Sequence, residues 1–322
     1  MRVAFAFLLG GMTCLAQSYA PAVGMPGATA IVSNSPVFVA WATGITVTRG
    51  SVTIADPEYT AAGSATATAG QPESTLGPYS GGSVSLGDGG EALLTFASPI
   101  IDGEGFDFAI FENGVPGYLE LAFVEASSDG INFFRFPGHS QTQTETQLGT
   151  FGTPLPPYLN NLAGKYGGIY GTPFDLADLP DDALLDKDNI TDIKVIDVVG
   201  SINPDYATYD SYGNIINDSF PTPFVSSGFD LQGVGVIHQK VLGLDDSTAT
   251  AITPYPNPAT DHINIIGLPA FDVTVYDMQG MIAMKRIGHN AQRLDIAALA
   301  SGLYMFVIRF GGIISAYRVL KK

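Results

Sequence analysis

One cysteine, Cys14, occurs in 322 residues, and it lies within the first sixteen. Those residues read as a leader: Arg2 supplies the positive end, residues 3–9 a short apolar core, and Gly10 and Gly11 the small residues that follow. Cleavage after Ala16 would place Gln17 first and leave the mature chain without a thiol; the alternative, Cys14 as a lipid acceptor, has a poor lipoprotein box before it at Gly11-Met-Thr13. Loss of the thiol excludes a disulfide framework and a cysteine nucleophile. Long hydrophobic runs are missing too. No stretch reaches the roughly 18 apolar residues a membrane helix needs, so no transmembrane segment is expected. Positive charge is scarce, with 14 Lys+Arg against 31 Asp+Glu. Nucleic acid, whose binding depends on cationic contacts to phosphate, is not an expected partner. There are four histidines, and His262 and His289 lie near the C-terminus. His139 and His238 belong to no triad, zinc or nucleophile-elbow pattern, and no catalytic residue is assigned.

What is abundant is glycine, proline and apolar residues: 38 Gly, 21 Pro and 46% hydrophobic against only 14% charged. This composition points to an all-β protein with tight turns. From residue 82 onward, short apolar runs alternate with turn signals such as Gly87-Asp-Gly-Gly90, Ile101-Asp-Gly103 and Ser127-Ser-Asp-Gly130. Asp and Gly tolerate the positive φ of such turns. Closely spaced strands of this kind predict a jelly-roll-like β-sandwich. Strand-like pieces at 37–42, 45–48 and 51–54 lie in a preceding Ala/Thr/Gly/Ser-rich stretch. The segments 137–190 and 200–228 are long loops, with one short helix expected at 176–185. Loops of that length in a compact domain are usually functional. Ile193-Lys-Val-Ile-Asp-Val-Val199 reads as a buried central strand, and 229–241 as the closing strand.

Charge divides the chain. Residues 1–249 carry 7 Lys+Arg and 27 Asp+Glu, a formal −20, whereas 250–322 carry 7 and 4, a formal +3. The expected order is a signal peptide at 1–16, an acidic β-sandwich at 17–242 with its core at about 75–241, a linker at 243–253, and a small immunoglobulin-like β-sandwich at 254–322. The acidic module suits divalent cations or neutral ligands, or its charge simply keeps it soluble.

Strand parity puts several acids on apolar faces. Glu112 shares a face with Phe108 and Ile110, Glu125 with Leu121 and Phe123, and Asp197 with Val195 and Val199. An isolated buried charge costs several kcal/mol or more, so such groups must be paired, hydrogen-bonded, metal-bound or at a rim. Ca²⁺ takes hard oxygen ligands, and the candidates are Asp107, Glu112, Asn113, Glu125, Asp129, Asp197 and Asp230, without an EF-hand spacing. The competing reading has these acids capping turns and backbone amides. Glu112 and Glu125 would be the pair if the domain were a glycan-active hydrolase. Trp41, Tyr158, Tyr166, Tyr170, Tyr209 and Tyr212 lie near Gly/Pro-rich loops, where exposed aromatics stack on sugar rings or grip a surface protein, or else pin the loops to the core.

Toward the C-terminus the chain reads Tyr255-Pro256-Asn257-Pro258, then Asp261-His-Ile-Asn-Ile265, Val273-Thr-Val-Tyr-Asp277-Met-Gln-Gly280, and Leu299-Ala-Ser-Gly302-Leu303-Tyr304-Met-Phe-Val307. A basic end follows at Arg318-Val-Leu-Lys-Lys322. In this order the segments resemble the C-terminal sorting domain (type A) of type IX secretion substrates, known from Bacteroidota. The resemblance covers about 252–322. Locally, Asn257 between prolines is expected to hold an extended lead-in, Asp277 and Gly280 to make a hairpin turn, and Gly302 to break the chain before the last hairpin. The resemblance implies recognition by the outer-membrane translocon, removal of the tail, and attachment of the product to anionic lipopolysaccharide at the cell surface. Phe106-Asp-Phe-Ala-Ile-Phe-Glu-Asn-Gly114, Leu119-Glu-Leu-Ala-Phe-Val-Glu-Ala-Ser-Ser-Asp-Gly130 and Phe229-Asp-Leu-Gln-Gly-Val-Gly-Val236 resemble a group of uncharacterised Bacteroidota cell-surface proteins. A weaker likeness is to surface proteins of micronutrient (cobamide) uptake. The expectation is a secreted, surface-displayed, non-catalytic binding or adhesion protein, calcium-stabilised and glycan-binding. The alternatives are a glycan-active hydrolase and an uptake accessory protein.

Overall fold

A computed structural model describes residues 18–114, 118–240, 254–265, 270–289, 292–310 and 313–322. The leader and the 243–253 linker lie outside these residues. The chain divides into two compact units at Lys240/Val241. Among the described residues no helix is long and apolar enough to cross a membrane.

The first unit contains β1 (Ile31–Val32), β2 (Ala40–Trp41), β3 (Gly44–Thr48), β4 (Val84–Ser85), β5 (Glu91–Ile100), β6 (Phe108–Glu112), β7 (Ala122–Ser127), β8 (Phe134–Arg135), β9 (His139–Ser140), β10 (Leu159–Asn160), β11 (Tyr170–Phe174), β12 (Ile190–Asp197) and β13 (Asp230–Val236). One sheet runs β1-β11-β6-β13-β2 with β4 also on β13; the other runs β3-β5-β12-β7-β8. All pairings between these strands are antiparallel. From β4 to β7, and again from β11 to β13, successive strands alternate between the two sheets, as in a jelly roll.

The sandwich forms because alternate residues on both sheets are apolar. On β6 and β13, Phe108, Ile110, Leu231, Val234 and Val236 face Ala122, Val124, Ile193 and Val195 of the other sheet, all buried. Phe108, Phe136 and Phe174 pack with ring centroids 5.1–5.8 Å apart. The opposite parity of β7 supplies Phe123, which joins Leu121, Leu159, Leu162, Val198 and Ile216 in a second buried layer. The long loops therefore roof the five-stranded sheet. At the Ser127–Gly130 turn, Asp129 Oδ1 accepts from the backbone N–H of Ile131 and Asn132 (both 2.8 Å) and Gly130 takes φ 71°.

The helix expected at 176–185 does not form. A 3₁₀ turn at Leu176–Asp178, capped by Asp175, ends at Leu179. Pro180 has no N–H with which to continue it, and a second 3₁₀ turn appears only at Lys187–Asn189. The N-terminal segment is more deeply involved than a core beginning near residue 75 would require. β1, β2 and β3 are strands of the two sheets.

The second unit pairs a two-stranded sheet, β14 (His262–Ile265) with β17 (Gln292–Asp295), and a four-stranded sheet ordered β16 (Ile282–His289), β15 (Ala270–Tyr276), β18 (Gly302–Phe310), β19 (Ile313–Lys321). Ile263, Ile265 and Leu294 of the first bury against Val273, Val275, Phe306, Ile308 and Val319 of the second, giving a small sandwich with its own core.

Candidate functional site

The roofing loops meet in an open polar cleft of about 620 Å³ between the 139–145 and 209–215 segments. Asp210, buried, builds one wall: its Oδ1 accepts from the backbone N–H of Tyr212 (2.9 Å) and Asn214 (2.8 Å), and its Oδ2 from that of Ser140 (3.0 Å). Burial opposes its charge, but the Asn214 side-chain amide and these backbone bonds prevail and hold its pKa below the ordinary value. Asn217, fully buried, builds the other wall. Its Nδ2 donates to the carbonyls of Gln143 (2.6 Å) and Thr146 (2.9 Å), and its Oδ1 accepts from Leu148 N–H. Tyr19 Oη lies 2.5 Å from His139 Nδ1, and the His139 ring packs 4.4 Å from that of Tyr212. Tyr209, 47% exposed, lines the cleft, and Tyr212, 66% exposed, lies beside it on the His139 ring. Gln141 Oε1 and Thr142 Oγ1 are buried in the lining, with no hydrogen-bond partner among the described residues.

The other aromatics expected to bind are placed elsewhere. Trp41 packs on Phe38 (5.2 Å) and Phe111 (5.4 Å) on the outer face of the six-stranded sheet. Tyr166 and Tyr170 line a separate apolar cleft. Tyr158 is 40% exposed and lines neither.

The seven oxygen-ligand candidates do not gather at one point. Glu125 is paired with Arg135 at 2.8 Å on the outer side of the five-stranded sheet. Asp129 closes its own turn. Asp197 accepts from Gly89 N–H (2.9 Å) and Phe229 N–H (2.7 Å), tying the sheets together. Asp107 accepts from Gly103 N–H and Leu176 N–H and lies 2.8 Å from His238 Nδ1. Its carboxylate falls within 4.8 Å of those of Asp102 and Asp175, but its own oxygens are already occupied. Asn113 pairs with the Gln232 amide.

Glu112 is different. It is 1% exposed, and its Oε2 has no partner among the described residues. A Cβ on Gly114 or Gly167 would stand 2.2 or 2.9 Å from that oxygen, so two glycines keep its surroundings open. Burial, then the charge of Asp230, push Glu112 well above the usual carboxylate range. The same two causes, in the same order, raise Glu120, which accepts from Tyr118 Oη at 3.1 Å. Burial pushes Asp230 up to about 6 despite a hydroxyl bond from Ser85. Glu112 and Glu120 are thus buried acids that feel the charge of Asp230 and then of other buried acids, as Asp197 feels that of Asp88, and of these Glu120 escaped the parity argument. Its signal was an acid inside the apolar run Tyr118-Leu-Glu-Leu121. Glu112 and Glu125 belong to different sheets and do not face a common space.

Asp197→Asn is expected to destabilise the first unit by about 1–3 kcal/mol in chemical denaturation, because one backbone N–H would then face an NH₂ group.

In the second unit, Asn257 clamps the last strand. Its Nδ2 donates to Arg318 O (2.8 Å) and its Oδ1 accepts from Leu320 N–H (3.0 Å). The lead-in is bent rather than extended, with both Tyr255–Pro256 and Asn257–Pro258 cis. Asp277 Oδ1 accepts from Gln279 and Met281 N–H, and Gly280 takes φ 78° to close the β15–β16 hairpin. Gly302 opens β18, Leu303 is half-exposed, and buried Tyr304 donates to Ala300 O at 3.0 Å.

Residues 253–322 match the family model for the secretion system C-terminal sorting domain, the tail that type IX secretion reads. The chain therefore carries an export signal, engages the secretion machinery and is destined for the cell surface or the medium. No curated protein matches the chain. Solved structures align only loosely. A β-glucuronidase from Ruminococcus gnavus has 12% identity over 73% of this chain and 38% of its own, at TM-score 0.17. A β-glucuronidase from Faecalibacterium prausnitzii has 12% identity over 88% of this chain and 45% of its own, at TM-score 0.21. The BSP domain of a biofilm associated protein has 9% identity over 90% of this chain and 53% of its own, at TM-score 0.18. This chain thus spans about half or less of the structures it aligns with, and scores this low transfer neither fold nor activity.

Proposed function

We propose that this chain, routed outward by residues 253–322, is a non-catalytic surface binding protein whose ligand is a glycan held in the polar cleft. The observation that carries this reading is the pairing of Gln141 Oε1 and Thr142 Oγ1, buried and without partners, with the exposed rings of Tyr209 and Tyr212. Leaving a buried polar atom unmade costs about 1–3 kcal/mol, which a sugar hydroxyl would recover once the side chain turns that atom into the cleft. Tyrosine rings offer an apolar face to a sugar ring and a hydroxyl to its edge. Buried Asp210 and Asn217 fix both walls beforehand, so little ordering is needed on binding. Glu145 supplies the sole carboxylate among the residues lining the cleft, whereas hydrolysis of a glycosidic bond requires a flanking pair. That favours binding over turnover.

Cleavage within 243–253, which lies outside the described residues, would leave the first unit displayed on anionic lipopolysaccharide.

A glycan array probed with the full chain, followed by a product assay on every glycan retained, tests the reading. Retention without product is expected. Released sugar would replace it with a hydrolase, and no retention on any glycan would remove it.

A further inference from the structure

A second cleft, of about 380 Å³ and with mostly apolar walls, lies between the Pro154–Pro156 strap and the segment from Lys165 to the start of β11 at Tyr170. Two polar groups interrupt it. Lys165 is 5% exposed, and its Nζ donates to Leu159 O at 2.8 Å. The same Nζ lies 5.6 and 5.9 Å from the ring centroids of Tyr166 and Tyr19, and no carboxylate pairs with it among the described residues. An ammonium has three donors, and one is used. Thr153 Oγ1, in the same lining, is buried and without a partner.

Burial lowers the Lys165 pKa to about 8, so the group is still mostly charged at neutral pH. A charge in an apolar wall is unfavourable unless matched.

The geometry points to a small carboxylate with an aliphatic or aromatic tail as the occupant of this cleft, its tail between Leu155 and Tyr170 and its carboxylate between Lys165 Nζ and Thr153 Oγ1. This site is distinct from the polar cleft and does not depend on the glycan reading. Charge complementarity selects the headgroup, and the apolar lining selects the tail.

The test is calorimetric titration of the full chain with straight-chain monocarboxylates of increasing length, naphthoate, and the alcohols of matching length. Saturable binding of one acid per chain is expected, with the matching alcohol weaker by more than about tenfold, the loss associated with an unpaired buried charge. Lys165→Met, which keeps length and removes charge, should erase the preference for acid over alcohol. Should that variant fold poorly, Thr153→Val leaves the lysine in place and should weaken the acid several-fold while leaving the alcohol nearly unchanged. Equal binding of acid and alcohol, an acid preference undiminished in Lys165→Met, a Thr153→Val variant that binds acid like wild type, or no saturable binding by any acid tested would each overturn the proposal.

Discussion

A chain truncated after residue 252 should accumulate in the periplasm of its host, with its surface signal falling to background. The effect is expected to be all-or-none, because the sorting tail is a complete sandwich with its own core, from Ile263 and Ile265 to Phe306 and Val319. The first unit keeps every strand of its two sheets and its own core in the truncated chain, so it should melt cooperatively as before. A milder change at the clamp separates recognition from mere length. Asn257→Ala removes both contacts that hold Arg318 and Leu320, and should lower surface display without altering the melting of the first unit. Surface immunolabelling alongside periplasmic fractionation reads both. Undiminished display of the truncated chain would refute the assignment of the tail.

The second large effect is on stability against pH. Burial pushes Asp88 up to about 6, against bonds from Ile54 N–H and the Ser227 hydroxyl, and Asp218 up to about 7, against Ser219 and Leu121 N–H. In the unfolded chain both would titrate near 3.9. Between roughly pH 4 and 7 the folded state therefore holds more protons than the unfolded state, and stability must fall as pH rises through that window. Asp88 alone accounts for roughly 3 kcal/mol, since one pKa unit is about 1.4 kcal/mol. About half of that falls between pH 5 and pH 8, because in the unfolded chain most of the carboxyl is already ionised by pH 5, so Asp88 alone lowers Tm by roughly 3–6 °C across that interval, and Asp218 adds to the drop. The excess negative charge of the first unit acts in the same direction. Asp88→Asn supplies the control. The amide oxygen can still accept from Ile54 N–H and the amide nitrogen can donate to Ser227 Oγ, so the variant should be more stable at pH 8 and show a flatter profile. A Tm that rises from pH 5 to pH 8 would contradict the burial of these acids.

Local chemistry explains which parts of this structure could be read from the sequence. The Asp-Gly turns were legible because Asp129 and Gly130 satisfy the turn from within it. The apolar run ending at Val199 was legible as a buried strand, β12, because both of its faces are covered. The helix expected at 176–185 failed at Pro180, where local chemistry outweighed an apolar pattern. β1 was hidden because its partner, β11, is about 140 residues away and its own neighbourhood is low in complexity. Parity placed Glu112 and Asp197 on buried faces, but it could not say that Asp197 would find two amide donors and Glu112 Oε2 none. The polar cleft was half visible. Tyr209 and Tyr212 were named for their loop context, whereas His139, Gln141, Thr142 and Asp210 meet only when segments 70 residues apart are joined by the Asp210–Ser140 bond. No periodicity in a sequence reports such a closure.

The central claim is that a glycan sits on Tyr209 and Tyr212 and satisfies the buried polar atoms below them. The most direct measurement is calorimetric titration of the tightest glycan from the array into wild type, Tyr209→Ala, Tyr212→Ala and Gln141→Ala. Both tyrosines are exposed enough to be removed without unfolding the domain. Loss of either ring should weaken binding roughly tenfold, in keeping with about 0.5–1.5 kcal/mol for an aromatic contact beyond its buried area. Gln141→Ala, which removes an acceptor the glycan is meant to satisfy, should cost at least as much. Wild-type affinity in all three variants, with their melting curves unchanged, would mean that the glycan binds elsewhere and that the cleft is not the site.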